Sequence, residues 1–182
     1  MKLSQLLSTK KVVASGFPAI AGLSAHSQGT EEVVLSSLAP SILAQQGITE
    51  YYALQLPRGA VFNTPEEIIA ADLDVRKYRI ETIDNADDLD TVIVSRHQGT
   101  VDLLLDRYGA VPVYDAVTPD QIAGKHVVGT LPPHLITAVG AYTAVTIRGF
   151  DYTKDGDLSG DELAQRLVIA DKPITLKEIP AN

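Results

Sequence analysis

Residues 91–100 read TVIVSRHQGT and residues 126–135 read HVVGTLPPHL. Each is an apolar run that stops abruptly at small and polar residues. In the first, Thr91 to Val94 gives way to Ser95-Arg96-His97 and then Gly99-Thr100. In the second, His126 to Val128 gives way to Gly129-Thr130-Leu131-Pro132. A short buried strand, a small-residue turn and the first turn of a helix is the sequence form of a βα unit. Two such turns at the carboxyl ends of neighbouring parallel strands form one crevice, the place where open α/β sheets hold ligands.

The same grammar runs outward in both directions. Before the first stretch, the sequence predicts an amphipathic helix over 1–10 carrying Leu3, Leu6 and Leu7, and strands at Val12–Ala14, Val33–Leu35, Tyr51–Leu56 and Arg79–Ile83. Between them it predicts helices over Pro18–Leu23, Pro40–Gln46 and from Pro65 to about Asp72, with a loop from Leu23 to Glu32. Thr64, Pro65 and Glu67 form a capping box. After the first stretch come a helix from Thr100 to Arg107, strands at Val113–Val117, Val127–Val128, Tyr142–Ile147 and Ile174–Ile179, and a short turn or helix from Pro119. Helices are predicted over Pro133–Val139 and, behind a second capping box at Ser159–Glu162, over Leu163–Val168. The expected fold is therefore α/β and Rossmann-like, a mainly parallel sheet flanked by short helices.

The two halves also resemble each other. VVASGFPAIAGL lies beside VIVSRHQGTVDLL, VVLSSLAPSIL beside VVGTLPPHLIT, and TPEEIIAADLDV beside SGDELAQRLVIA. An N-terminal α/β repeat over 1–83, an acidic linker over 84–90 and an α/β domain over 91–182 are the expected organisation, two related lobes forming a pseudo-dimer. The first copy then carries Gly16-Phe17 where the second carries Arg96-His97.

Composition narrows the function. With 15 Lys and Arg against 23 Asp and Glu, the formal net charge of -8 does not suit tracking a long nucleic acid, whose affinity comes from many neutralised phosphates. One small anion needs only a local cluster of donors. The absence of cysteine removes disulfides, thiolate metal sites and cysteine nucleophiles. No stretch reaches the roughly 20 apolar residues of a membrane span, and MKLSQLLSTKK is not a signal peptide, so a cytoplasmic location is expected.

Arg96 can fork onto two phosphate oxygens, and His97 can carry a proton near neutrality. Against this stands a plainer reading, in which Arg96 pairs with a carboxylate and His97 caps a helix. Gly129-Thr130-Leu131 fits a phosphate turn, because glycine allows close approach and a helix start offers free N–H groups. It fits a simple strand-to-helix connection as well. Asp151 to Glu162 matches a calcium loop at its first, fifth, sixth and last positions, with Asp151, Thr153, Asp155, Asp157 and Glu162 as the candidate ligands. The strand pattern before it, where a calcium hand needs a helix, favours a polar hairpin. No histidine pair has zinc-site spacing.

The run VIVSRHQGTVDLLLDRYG, then HVVGTLPPHLITAVGA, then GDLSGDELAQRL resembles small type III CRISPR accessory proteins, whose pattern is SRHxGA, a GTLPxxL turn and an ELSxxE helix start. The resemblance spans residues 91–180. It departs from the pattern at Thr100, where the family has Ala, in a Leu that replaces an aromatic, and in a longer hairpin. Such proteins are ring nucleases that cleave cyclic oligoadenylate, ending an antiviral defence signal. The resemblance implies Ser95, Arg96 and His97 as catalytic residues and Gly99, Thr100, Gly129, Thr130 and Leu131, with Ser15 from the first half, as ligand-binding. It implies cyclic tetra-adenylate as partner, no cofactor or metal, and a homodimer or an intrachain pseudo-dimer. The alternatives are a non-catalytic binding or sponge protein, and a calcium-binding structural protein.

Overall fold

A computed structural model describes residues 1–57, 59–151 and 153–181. The chain divides into two compact units, Met1–Ile80 joined by the residues from Lys177 on, and Glu81–Leu176. Both are α/β, with mostly parallel strand pairing.

In the first unit the order is α1 (Leu3–Thr9), β1 (Lys11–Ser15), α2 (Pro18–Ala21), β2 (Glu32–Ser36), α3 (Pro40–Gln45), β3 (Glu50–Leu54), α4 (Pro65–Ala71) and β4 (Val75–Thr82). β1, β2 and β3 are successive parallel neighbours and β4 is antiparallel to β3. Leu3, Leu6 and Leu7 of α1 are buried in one cluster with Val12, Leu35, Tyr52 and Ile68. Three expectations shift here. The strand expected from Arg79 begins at Val75, because Val75 to Tyr78 already pair with β3. The helix from Pro18 stops at Ala21 and continues as a 3₁₀ turn, Gly22–His26, into the stretch read as a loop. In the capping box, Thr64 Oγ1 accepts from Glu67 N–H at 3.3 Å, but Glu67 reaches back to Asn63 N–H instead of Thr64.

In the second unit the order is β5 (Thr91–Val94), α5 (Gln98–Tyr108), β6 (Val113–Tyr114), α6 (Pro119–Ile122), β7 (His126–Gly129), α7 (Pro133–Ile136), β8 (Ala141–Ile147), α8 (Gly160–Arg166), β9 (Leu167–Ile169) and β10 (Ile174–Ile179), which begins in this unit. β5 lies between β6 and β7, parallel to both; β7 is parallel to β8, and β8 is antiparallel to β9 and β10. One face of α5 packs Val101 and Leu104 on Ile93, Val128 and Val145.

The strand expected over Val113–Val117 is only two residues long, and the helix expected over Pro133–Val139 ends at Ile136. The helix expected through Val168 stops at Arg166, because Leu167, Val168 and Ile169 pair with Ile147, Thr146 and Val145 of β8. Ser159 precedes that helix without a side-chain cap, so the second capping box does not form. Among the described residues no helix is long and apolar enough to cross a membrane.

Candidate functional site

The crevice starts with strand order. From β5 the chain moves to β6 on one side, while β7, on the other side, leads away to β8. The connections leaving β5 and β7 thus run in opposite directions, and the gap between their carboxyl ends is a topological switch point. The pairing puts Val94 opposite Gly129, so the Ser95 and Thr130 turns leave the sheet side by side. Thr130 N–H donates to the Val94 carbonyl at 3.1 Å. Gly129 has φ 143°, and a Cβ there would collide with that same carbonyl oxygen. The close approach that demands glycine is thus made by the neighbouring strand.

In the first turn, Ser95 N–H donates to the Tyr114 carbonyl at 3.0 Å, and Ser95 Oγ accepts from His97 N–H at 3.2 Å. Arg96 is exposed. Its Nε donates to the Asp115 carbonyl at 3.2 Å, and among the described residues it has no carboxylate partner. The guanidinium is therefore tethered by one nitrogen to the segment after β6, on the side of β5 away from β7.

His97 is the N-cap of α5. Its Nδ1 accepts from Thr100 N–H at 3.2 Å and lies 2.8 Å from Thr100 Oγ1. A backbone N–H can only donate, so Nδ1 carries no proton and the neutral ring is protonated at Nε2. That Nε2–H donates to the Asp155 carbonyl at 3.2 Å. The ring also meets Phe150 edge-on, with centroids 5.5 Å apart. Gly99 sits where a Cβ would strike the Leu158 carbonyl, so α5 and the 150–158 segment are in close contact there. Gln98 and Gly99 precede the first intrahelical bond of α5, Val101 N–H to the His97 carbonyl, and their N–H groups belong to the free end of an 11-residue helix.

The second turn differs from its expected chemistry. Its N–H groups are not free: Thr130 uses its own on Val94, Leu131 donates to the Tyr142 hydroxyl at 3.2 Å, and Pro132 and Pro133 have none. Leu131 is itself buried. The Tyr142 hydroxyl donates in turn to the Gly129 carbonyl at 2.7 Å, so one side chain clamps both ends of the turn. Burial pushes the Tyr142 hydroxyl up to about 12, with the Leu131 N–H pulling the other way. What the turn offers a ligand is the Oγ1 of exposed Thr130, 3.5 Å from the Val145 carbonyl.

Asp151 to Glu162 does not adopt a calcium loop. A strand, β8, precedes it, and Asp151 Oδ1 takes up both Thr153 N–H and Thr153 Oγ1. Asp155 Oδ2 accepts from Asp151 N–H and from the Arg166 guanidinium, each at 2.9 Å, and the Arg166 bond holds the Asp155 carboxyl below its ordinary value. Glu162 is in the first turn of α8. Among the described residues no group of three or more His, Cys, Asp or Glu is placed to hold a metal, Asp157 and Glu162 included, and Tyr152 lies outside those residues.

Of the other candidates, His126 is buried with Nε2 2.7 Å from Thr143 Oγ1, and burial lowers its pKa. His26 has Glu66 at 3.7 Å. Ser15 belongs to the first unit, where its Oγ lies 2.8 Å from Ser36 Oγ. Tyr142 and Arg166 are the site residues that sequence reasoning missed, and Asp155 was read only as a calcium ligand, not as a partner of His97.

With that geometry in place, the comparison with known families bears on one unit. Residues 92–170 match the family described as "Putative CRISPR-associated protein (Cas_VVA1548)". The span similar to this CRISPR-associated family runs from β5 through β9, holds both turns and lies within the second unit. No curated protein and no solved structure matches the chain.

Proposed function

We propose that the second unit is a ring nuclease that binds cyclic oligoadenylate and cleaves it without a metal ion. The observation that carries this reading is Arg96, a guanidinium that among the described residues has no carboxylate partner, in the turn that leaves β5 at the switch point, next to the open end of α5. Similarity to a CRISPR-associated family and the resemblance of the SRH and GTLP turns to ring nucleases supply the substrate class. Each linkage carries its own nucleophile. The 2′-oxygen attacks the adjacent phosphorus, the phosphorus–O5′ bond breaks, and the products are a 2′,3′-cyclic phosphate and a 5′-hydroxyl. The proton leaving the 2′-hydroxyl is balanced by one taken up at O5′. Arg96 offsets the charge on the non-bridging oxygens, and Ser95 Oγ and Thr130 Oγ1 donate beside it.

A second reading, binding without cleavage, is favoured by His97, both of whose ring nitrogens are engaged within the unit. Labelled cyclic tetra-adenylate incubated with the protein in EDTA separates the two. Linear product supports cleavage, and bound but intact ring at high protein supports the sponge. His97→Asn keeps an oxygen able to cap Thr100 N–H while removing the imidazole, so lost cleavage in a folded variant assigns His97 a chemical role.

The first unit is read as a degenerate copy of the same fold. Pairing runs β1, β2, β3 parallel and then β4 antiparallel, as β5, β7, β8 and β10 do, and Ala14 opposite Leu35 repeats Val94 opposite Gly129. Phe17 occupies the N-cap position of α2 without a side-chain cap, where the His97 ring caps α5. At Gly16, φ is 107° and Ser37 Oγ fills the place of a Cβ, so no arginine fits there without rearrangement. The first unit therefore carries no counterpart of Arg96 and His97, and Arg96→Ala alone is expected to abolish cleavage; residual turnover would show a second active site.

A further inference from the structure

We infer that Asp155 and Arg166 are positioning residues for His97, holding its imidazole in the Nε2-protonated form and thereby ordering the turn that carries Arg96. The inference stands on a continuous set of bonds within the second unit. Arg166 Nε donates to the Arg148 carbonyl at 2.8 Å, and its terminal nitrogen donates to the Gly149 carbonyl at 2.5 Å and to Asp155 Oδ2 at 2.9 Å. One planar guanidinium therefore joins the end of β8, the start of the hairpin and its acidic middle, which a lysine's single nitrogen cannot reproduce. Arg148 closes the same hairpin from the other side through the Gln165 carbonyl.

Asp155 is fixed twice more, by Asp151 N–H on its carboxylate and by its own N–H on the Asp151 carbonyl at 2.8 Å. Its carbonyl is then aimed at His97 Nε2, at 3.2 Å. A carbonyl only accepts, so it favours a proton on Nε2, while Thr100 N–H excludes one from Nδ1. The two constraints agree. Phe150 against one edge of the ring and the contact of Gly99 with the Leu158 carbonyl limit its rotation. Fixing the ring fixes the N-cap, and the N-cap is the residue after Arg96. The ion pair is mostly shielded, with side-chain exposures of 24% for Arg166 and 18% for Asp155, so water screens it less than a surface pair.

Only the link to substrate rests on the ring-nuclease reading; the link to His97 does not. The experiment is therefore NMR on the full chain, wild type against Asp155→Ala and Arg166→Ala. In the wild type, His97 Nε2–H is expected as a slowly exchanging proton in the Nε2-protonated ring pattern, with Thr100 N–H protected. In both variants the Nε2–H signal should vanish into solvent exchange and Thr100 N–H should exchange about tenfold faster, with Val127 and Val128 of β7 unchanged. An unchanged Nε2–H signal and unchanged Thr100 exchange in either variant overturn the inference. Should an alanine variant lose β7 protection, Asp155→Asn decides on the same two signals, since it keeps an oxygen for Asp151 N–H and weakens only the Arg166 contact. Parallel assays with cyclic tetra-adenylate should show Asp155→Ala lowering kcat more than it raises KM. Failure of the wild type to bind the ring at all would refute the proposed function and leave the NMR result to judge the positioning.

Discussion

Tyr142→Phe removes one oxygen atom and leaves the ring, so it creates no cavity of note and isolates what the hydroxyl does. That hydroxyl donates to the Gly129 carbonyl at 2.7 Å and accepts from Leu131 N–H at 3.2 Å, both in buried surroundings. Two lost bonds at about 1 kcal/mol each, with up to about 1 kcal/mol more for each backbone group left buried and unpaired, give about 2–4 kcal/mol. With a urea slope of about 2 kcal/mol/M, the unfolding midpoint of the second unit should fall by about 1–2 M at unchanged slope. The same hydroxyl gives an independent pH signature. Its folded value of about 12 lies above the ordinary 10.0, so the contribution is complete below pH 10 and is lost as pH rises toward 12. The variant should lose that share of the alkaline decline. A midpoint within about 0.25 M of wild type, or an alkaline decline as steep as in wild type, would refute the clamp; Tyr51 and Tyr78 of the first unit, which burial also raises, keep a residual slope in the chain as a whole.

Gly129→Ala should destabilise the second unit by about 3 kcal/mol or more, because φ 143° is closed to alanine and the Val94 carbonyl behind it cannot move without parting two strands. Gly124→Ala, at φ 68° with open space around it, should cost only about 1–2 kcal/mol; equal losses in the two would remove the collision from the account. His126 titrates below its ordinary 6.5 in the folded state because it is buried, so the unfolded chain takes the proton first as pH falls. Stability should drop below about pH 6.5 by at most about 1.4 kcal/mol per pH unit, and His126→Gln should flatten that part of the curve in denaturant titrations. Calorimetry with calcium up to millimolar concentration should give no binding heat, since Asp155 is committed to Arg166; micromolar binding would show that the hairpin refolds around the ion.

The crevice was legible because βα grammar is local: an apolar run, a small-residue turn and a helix start are read within ten residues, and strand adjacency brings Ser95 and Thr130 together. Gly129 was legible as a position needing glycine for a close approach, and the group that approaches is the Val94 carbonyl of the neighbouring strand. Leu167–Ile169 was lost to the opposite effect. Its local pattern continues a helix, and only pairing with β8, about twenty residues earlier, turns it into a strand.

His97 shows where local reading ends. Its spacing to Thr100 suits a helix cap and its chemistry suits proton transfer, and sequence alone leaves both open. The structure adds an acceptor 58 residues away, and that acceptor is held by an arginine just past the motif window. Read by itself, the acidic spacing of Asp151 to Glu162 looks like a calcium loop. Arg166, four residues beyond Glu162, supplies the positive charge that a bound ion would have supplied. The carboxylate that marked a metal site becomes part of the support for His97.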